Sequence, residues 1–354
     1  MINDLRLKKI YAKLKQENLD GLLLSSPANI SYLTDYLSRD SYLVVSPKGN
    51  IYITDSRYIE EAKIQLKGRA TIKRINGSLF KTIALACSEL GLDRVGFEER
   101  YLAFAEYQKI SGYLDKDITL VPTHSLVEQL RQIKDEEELK KIKKAVSITL
   151  KAFKFIQGFI APGIKEIEVA AELERFIRYH GGRTSAFELI VASGPNAAYP
   201  HHITSGKRLQ NHEPLLIDMG VDYAGYKSDL TRTFFLDKIT PLVRKVYNTV
   251  KEAQERALRQ IKPGVVVSKI DAAARQYIAQ KGYGGFFGHN LGHGVGLETH
   301  EPPSISAKEN NTVERGMVFT VEPGIYLPGR FGVRLEDMVL VTQRGASLIS
   351  GVID

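Results

Sequence analysis

A shift of 101 residues, without a gap, lays one part of this chain over another. It aligns Pro162 with Pro263, Gly163 with Gly264, Val169 with Ile270, Ala171 with Ala272, Phe176 with Tyr277, Ile177 with Ile278 and Gly181 with Gly282. Each copy reads as Pro-Gly, an amphipathic helical pattern and a glycine stop. Two copies of this length are too few for a solenoid. They imply two similar halves closing around a shared site, which restricts the fold more than any other feature.

An acidic hairpin pattern follows each copy. In LLIDMGVDYAGYKSDLTRTFF, residues 215–235, Asp222, Tyr223, Ala224 and Gly225 are turn-like, and pairing outward from them sets Asp218 opposite Asp229. Opposed side chains of an antiparallel pair lie roughly 5 Å apart, so like charges repel. Asp is also depleted in strands, and the flanks Leu215, Leu216, Ile217, Phe234 and Phe235 make its burial costly. A divalent cation between the two would remove that cost, and so would a strand end in water; the hairpin alone leaves both readings open. In the second pattern, MVFTVEPGIYLPGRFGVRLEDMVLV, a fold-back centred on Gly329 brings Glu322 close to Glu336. Two such pairs, one per half, favour a shared metal site.

Between the hairpins, GHNLGHGVGLETHEPP holds His289, His293 and His300 in a glycine-rich run unsuited to regular helix. Imidazole is the commonest nitrogen ligand for divalent metals. His201 and His202 follow Pro200, and one of them can reach the open end of the strand that begins near Pro214. Four carboxylates carry more negative charge than one divalent ion offsets, so two bridged ions suit the inventory better. Ions roughly 3.5 to 4 Å apart can share a water or hydroxide and polarise a carbonyl, which points to hydrolysis of an amide. A carboxylate would take the proton of the attacking water, and an uncoordinated histidine would hydrogen-bond the oxyanion.

The 354 residues, 43% hydrophobic and 25% charged, suffice for two domains with a sizeable core. The formal charge of +8 is spread over stretches such as KDEEELKKIKK, which read as solvated helix faces rather than a nucleic-acid surface. A single cysteine, Cys87, excludes an intrachain disulfide or a multi-thiolate metal site and fits a reducing compartment. No run of about 18 apolar residues is present, so a cytoplasmic protein without a membrane span is expected. In the first third, Leu5, Ile10 and Leu14 space a helix, Gly21–Leu24 is a short apolar run, and 42–46 and 51–54 form a hairpin around PKGN. Helical patterns at 58–66 and 79–90, a strand pattern at 94–97, and a further helix and strand ending at Val121 complete an α/β layer domain over 1–122. A linker is expected over 123–134. Asp135 with Glu138 then makes a capping-box pattern opening a second domain, 135–354, so the fold class is α+β.

The runs IDMGVDYAGYKSDLTRTF, GHGVGLETHEPP, TVEPGIY and GVRLEDMVLVT resemble the metallopeptidases of the pita-bread fold, specifically the Xaa-Pro dipeptidases (prolidases) and Xaa-Pro aminopeptidases. The resemblance covers about 125–354 in order, and ISYLTDY and TDSRYIEEA in the first domain are similar to the same branch. It implies a pseudo-two-fold pita-bread catalytic domain behind a creatinase/prolidase-like N-terminal domain. It also implies two divalent ions, Mn²⁺ first with Co²⁺ or Zn²⁺ possible, and cleavage of the bond preceding proline by a metal-bridging hydroxide. Proline-containing di- or oligopeptides would be the substrates and a homodimer the assembly, with no membrane or nucleic-acid partner.

Residue by residue, the resemblance makes Asp218, Asp229, His293, Glu322 and Glu336 the metal ligands, Asp229 and Glu336 bridging and Glu322 doubling as general base. His201, catalytic with His300, would line the substrate site, His300 would contact the substrate carbonyl, His289 would help recognise proline, and Arg334, the fourth substrate-binding residue, would stand beside the last ligand. Tyr199 takes the place of the family's usual Leu, and His202 is an additional histidine. A methionine aminopeptidase shares the metal set but generally lacks a domain like 1–122. A creatinase-like amidinohydrolase works without metal, and non-catalytic binding relatives usually lose ligands, whereas all five are present here.

Overall fold

The computed structural model describes the backbone of residues 2–351 and the side chains of 5–351; the end of the expected second domain, 352–354, lies outside the described residues. The chain divides into two compact units, 1–131 and 132–354. The division falls inside the stretch expected as a linker, part of which is the helix Leu126–Arg131.

In the first unit a six-stranded mixed sheet runs in the order Thr71–Arg74, Gly49–Thr54, Ser41–Ser46, Gly21–Leu24, Arg94–Glu98, Thr119–Thr123. The hairpin read around PKGN pairs Ser46 with Gly49 and Val44 with Ile51. Gly21–Leu24 is buried on both faces, as its continuous apolar run requires, between an antiparallel and a parallel neighbour. Leu23, Val44, Ile53, Ile83, Val95 and Ile110 form the core beneath the flanking helices.

The second unit realises the repeat. The helices Glu166–Tyr179 and Val267–Gln280 begin and end at positions 101 residues apart. Gly163 and Gly264 before them, and Gly181 and Gly282 after them, all have φ between +85° and +93°, a region that L side chains avoid. Each of these helices packs on a longer one, Glu136–Gln157 and Pro241–Gln260. The longer helix of the first half starts with the expected capping box: Asp135 accepts from the Glu138 amide at 2.9 Å, and Glu138 accepts from the Asp135 amide at 3.0 Å.

The first half has a three-stranded sheet, Leu230–Phe235, Pro214–Met219, Ile190–Ser193. The second has five strands, Glu301–Ile305, Gly292–Gly294, Val318–Val321, Asp337–Thr342, Gly345–Leu348, with the ribbon Gly324–Leu327 and Phe331–Arg334 beside them. The halves join where the Glu336 amide donates to Thr231 O at 3.2 Å and Thr233 Oγ1 donates to Arg334 O at 3.0 Å. Gln254 of the Pro241–Gln260 helix donates to Val321 O and Leu335 O, tying that helix to the strands beside Glu322 and Glu336.

One expected register is corrected. Asp218 lies opposite Thr231, not Asp229. The turn sits on Ala224 and Gly225, at φ +51° and +87°, so Tyr223 pairs with Tyr226 and Asp222 with Lys227. That two-residue turn moves the fold axis one residue along and displaces the pairing by two. Asp229 therefore precedes the Leu230–Phe235 strand, two residues from Thr231 and on the same side by the period of two. Its segment passes close over Gly220, where a Cβ would lie 2.1 Å from Ser228 O.

Candidate metal centre

Each candidate ligand sits where a strand ends or breaks. Asp218 is near the end of Pro214–Met219, every residue of which is buried. His293 is in Gly292–Gly294, where the register shifts by a bulge after it. Glu322 follows Val318–Val321, and Pro323 removes the donor that would continue the ladder. Val321 pairs with Asp337 and Gly324 with Arg334, so Glu322 and Glu336 face each other between them, as the fold-back on Gly329 predicts.

Asp229, His293 and Glu336 each offer a ligand atom, and these atoms lie within 4.8 Å of one another. His293 Nε2 is 3.6 Å from Asp229 Oδ2 and 3.3 Å from Glu322 Oε1. Asp218 joins the group through Arg334, whose Nη2 donates to Asp218 Oδ2 at 2.6 Å. Of the five residues expected to bind metal, Asp229, Glu322 and Glu336 thus gather round His293, and Asp218 is held beside them by Arg334; Asp218, Asp229 and Glu336 are buried, and His293 and Glu322 are half-buried.

The electrostatics call for a cation. Burial pushes Asp218 above the ordinary carboxylate range, with Arg334 opposing and Glu322 adding to the shift. Burial, reinforced by the neighbouring carboxylates, puts Asp229 and Glu336 well above it. Asp218 Oδ1 is buried without a hydrogen-bond partner. Buried carboxylates in this state are stable only when protonated, paired or coordinating metal. Hard oxygen donors with one imidazole match divalent ions such as manganese, zinc or cobalt, so the residues fit the group.

Glu322 and His293 shift in the opposite sense. Burial would raise Glu322, but the His293 hydrogen bond and charge hold it below its usual value. His293 is pushed up because Glu322 outweighs its burial. Thr320 Oγ1 accepts from the His293 amide at 3.1 Å and donates to Glu322 Oε1 at 3.2 Å, tying the Glu322 side chain to the backbone of His293.

The other histidines divide by environment. The His300 ring centroid is 4.1 Å from that of His293. Burial, then the charges of His293 and His201, push His300 below its ordinary value. His289 Nε2 shares a hydrogen bond with Tyr326 Oη at 2.9 Å, and burial pushes it down as well. His201 is exposed, whereas His202 turns inward to Glu166, with Nε2 3.1 Å from Oε2.

Arg334, expected in a substrate-binding role, is only 3% exposed and makes its contacts with the protein itself. Besides Asp218, it donates to Thr231 Oγ1 at 3.0 Å, Tyr326 Oη at 2.9 Å and Pro200 O at 3.3 Å. These hydrogen bonds hold Asp218 and the loop that carries His201. Thr231, which donates to Glu336 Oε2 at 2.7 Å, Thr320 and Tyr326 are site residues that sequence reasoning missed. Tyr326 is in the run TVEPGIY, but nothing in its spacing signals that Arg334 and His289 meet on its hydroxyl.

Comparison with known proteins gives matching descriptions for both units. "Metallopeptidase family M24" matches residues 140–343, and "Creatinase/Prolidase N-terminal domain" matches 6–133. The uncharacterized peptidase YqhT of Bacillus subtilis (strain 168) is 40% identical over 346 residues, 98% of each chain. A solved Xaa-Pro dipeptidase from Bacillus anthracis superposes with a TM-score of 0.95 at 38% identity, covering 99% of this chain and 98% of the other. An X-Pro aminopeptidase from Thermotoga maritima MSB8 superposes with a TM-score of 0.88 at 34% identity, covering 96% and 98%. Among the described residues, no helix is long and apolar enough to cross a membrane.

Proposed function

The chain belongs to metallopeptidase family M24, with a creatinase/prolidase N-terminal domain and a pita-bread catalytic domain, and from that premise we propose that it cleaves the peptide bond preceding proline in short peptides. The observation carrying this reading is the grouping of Asp229, Glu322 and Glu336 around His293, with Asp218 held beside them by Arg334 and its Oδ1 buried without a hydrogen-bond partner. The likeness to the Bacillus anthracis Xaa-Pro dipeptidase and the Thermotoga maritima X-Pro aminopeptidase supports the Xaa-Pro specificity and leaves dipeptides and longer peptides as alternative substrates.

These five residues would hold two divalent ions, with manganese the proposed occupant and cobalt or zinc substitutes. Such ions, when bound, acidify water and polarise a carbonyl at neutral pH. The chain's own groups do the rest. Glu322, held ionised, takes the proton of the attacking water at a carboxylate oxygen. His300, kept neutral near pH 7, donates a hydrogen bond to the developing oxyanion, with His201 beside it. His289, fixed by Tyr326, lines the proline end. The cytoplasm is the proposed location and a homodimer the proposed assembly.

Ala-Pro, Ala-Pro-Ala and Met-Ala, each offered with Mn²⁺, Co²⁺ or Zn²⁺ after chelation, test the reading. Cleavage of Ala-Pro alone identifies a dipeptidase, and release of Ala from Ala-Pro-Ala an aminopeptidase. Cleavage of Met-Ala with both proline peptides intact would replace the proposal with a methionine-type activity.

A further inference from the structure

Glu166 is the first residue of its helix, and it is fully buried. Its Oε1 accepts from the Ser193 amide and hydroxyl, both at 2.8 Å, and from Asn196 Nδ2 at 3.0 Å. Its Oε2 accepts from Ser205 Oγ at 2.6 Å, and His202 Nε2 lies 3.1 Å away. All these donors belong to residues 193–205, the segment that carries His201.

The molecule contains its own control for this arrangement. The matching position, 101 residues on, is Val267, also fully buried and part of an apolar core. Both helix starts are closed by backbone in the same manner. Glu166 N donates to Lys207 O and Ile167 N to Ser205 O; Val267 N donates to Asn311 O and Ser268 N to Glu309 O. The helix start is therefore complete without a carboxylate, and a buried carboxylate is unfavourable unless its oxygens are fully hydrogen-bonded. What Glu166 adds is a grip on the segment opposite it. From the other side Arg334 Nη1 holds Pro200 O, so His201 lies between two fixed neighbours while its own ring stays exposed near His300.

We propose that Glu166, acting through His202, Asn196 and Ser205, is a positioning residue that holds His201 at the metal centre, so that His201 rather than His202 meets the substrate. The donors also keep Glu166 below its ordinary value against the opposing effect of burial, as a charged anchor requires. This assignment rests on the peptidase reading above.

A double-mutant cycle on the Mn²⁺-loaded protein with Ala-Pro tests it. Glu166→Gln should lower kcat about 10- to 100-fold, the range for outer residues that orient a site, with KM changed less than about threefold. In a His201→Ala background the same change should alter kcat by less than about twofold. Equal losses in both backgrounds would overturn the proposal. His202→Leu should match the Glu166→Gln loss, and His202→Gln, whose amide can still donate to Oε2, should recover most of it; failure of that recovery would also count against the anchor. Hydrogen exchange of amides 199–206, measured without substrate, should quicken in Glu166→Gln and His202→Leu. Unchanged exchange would refute the anchoring. If the native protein cleaves no proline peptide with any ion, the peptidase reading fails, and the exchange result alone decides the anchor.

Discussion

The two halves of the second unit share a backbone plan and differ in what fills it. In the second half, Val267, Ile270, Ala274, Ile278, Phe319, Val321 and Val339 belong to one large apolar core. In the first, Val169, Leu173 and Ile177 are buried in the same way, but Glu166 and its polar network take the position of Val267. Each half supplies two carboxylates from corresponding strand ends, short aspartates in one and longer glutamates in the other. The second half also supplies His293, and the first supplies the loop bearing His201. The duplicated plan places two carboxylates in each half; the histidines and the Glu166 network depart from it.

The largest effect should come from Glu322, the second-half carboxylate proposed above as the proton acceptor. Glu322→Gln is expected to lower kcat about 10²- to 10⁴-fold with bound metal largely retained, read by steady-state kinetics beside elemental analysis. Unchanged turnover would remove Glu322 as the base. Next comes Val267→Glu, which places a carboxylate at the symmetric position without the donors of Ser193, Asn196, His202 and Ser205. Urea denaturation should show a loss of about 3–5 kcal/mol, the usual effect of an uncompensated buried charge. A loss below about 1 kcal/mol would mean that the second half can accommodate a carboxylate as readily as the first, and that the comparison is void.

Smaller effects separate the long helices. The first half's begins at the Asp135–Glu138 capping box; the second half's begins at Thr240, whose side chain accepts from the Val243 amide, with Pro241 next. Asp135→Ala and Thr240→Ala should each lose about 1 kcal/mol by the same assay, with metal content unaffected. The smallest effect concerns acid. A carboxylate held below its ordinary value of 4.5, as Glu166 is, adds stability that is present above that value and lost as pH falls through the lower folded value. Glu166→Val should flatten the decline in stability below about pH 4.5 relative to the native chain. An unchanged slope would show that the Glu166 proton is not linked to folding.

Much of this was legible in sequence because the signals were local. The shift that aligns Pro162 with Pro263 located both short helices of the second unit, since Pro-Gly and a terminal Gly act on their immediate neighbours. Gly329, at φ +70°, marked the centre of the second hairpin and thereby the Glu322–Glu336 pairing. The first hairpin turns one residue later than its composition implies, because Ala224 takes a left-handed conformation that a non-glycine residue does not announce. Contacts between distant residues left no local mark. Arg334 reaches Asp218 across 116 positions, and Thr231 reaches Glu336 across 105. Of two adjacent histidines, only the position of Glu166 shows which one faces inward.

We propose a two-ion centre assembled from both halves of the second unit. Equilibrium dialysis of the chelated protein against Mn²⁺, with metal counted per chain, tests it most directly. The native chain should hold two ions, and Asp229→Ala and Glu336→Ala, one substitution in each half, should each fall below two. Two ions retained in either variant, or none bound by the native chain, would contradict it.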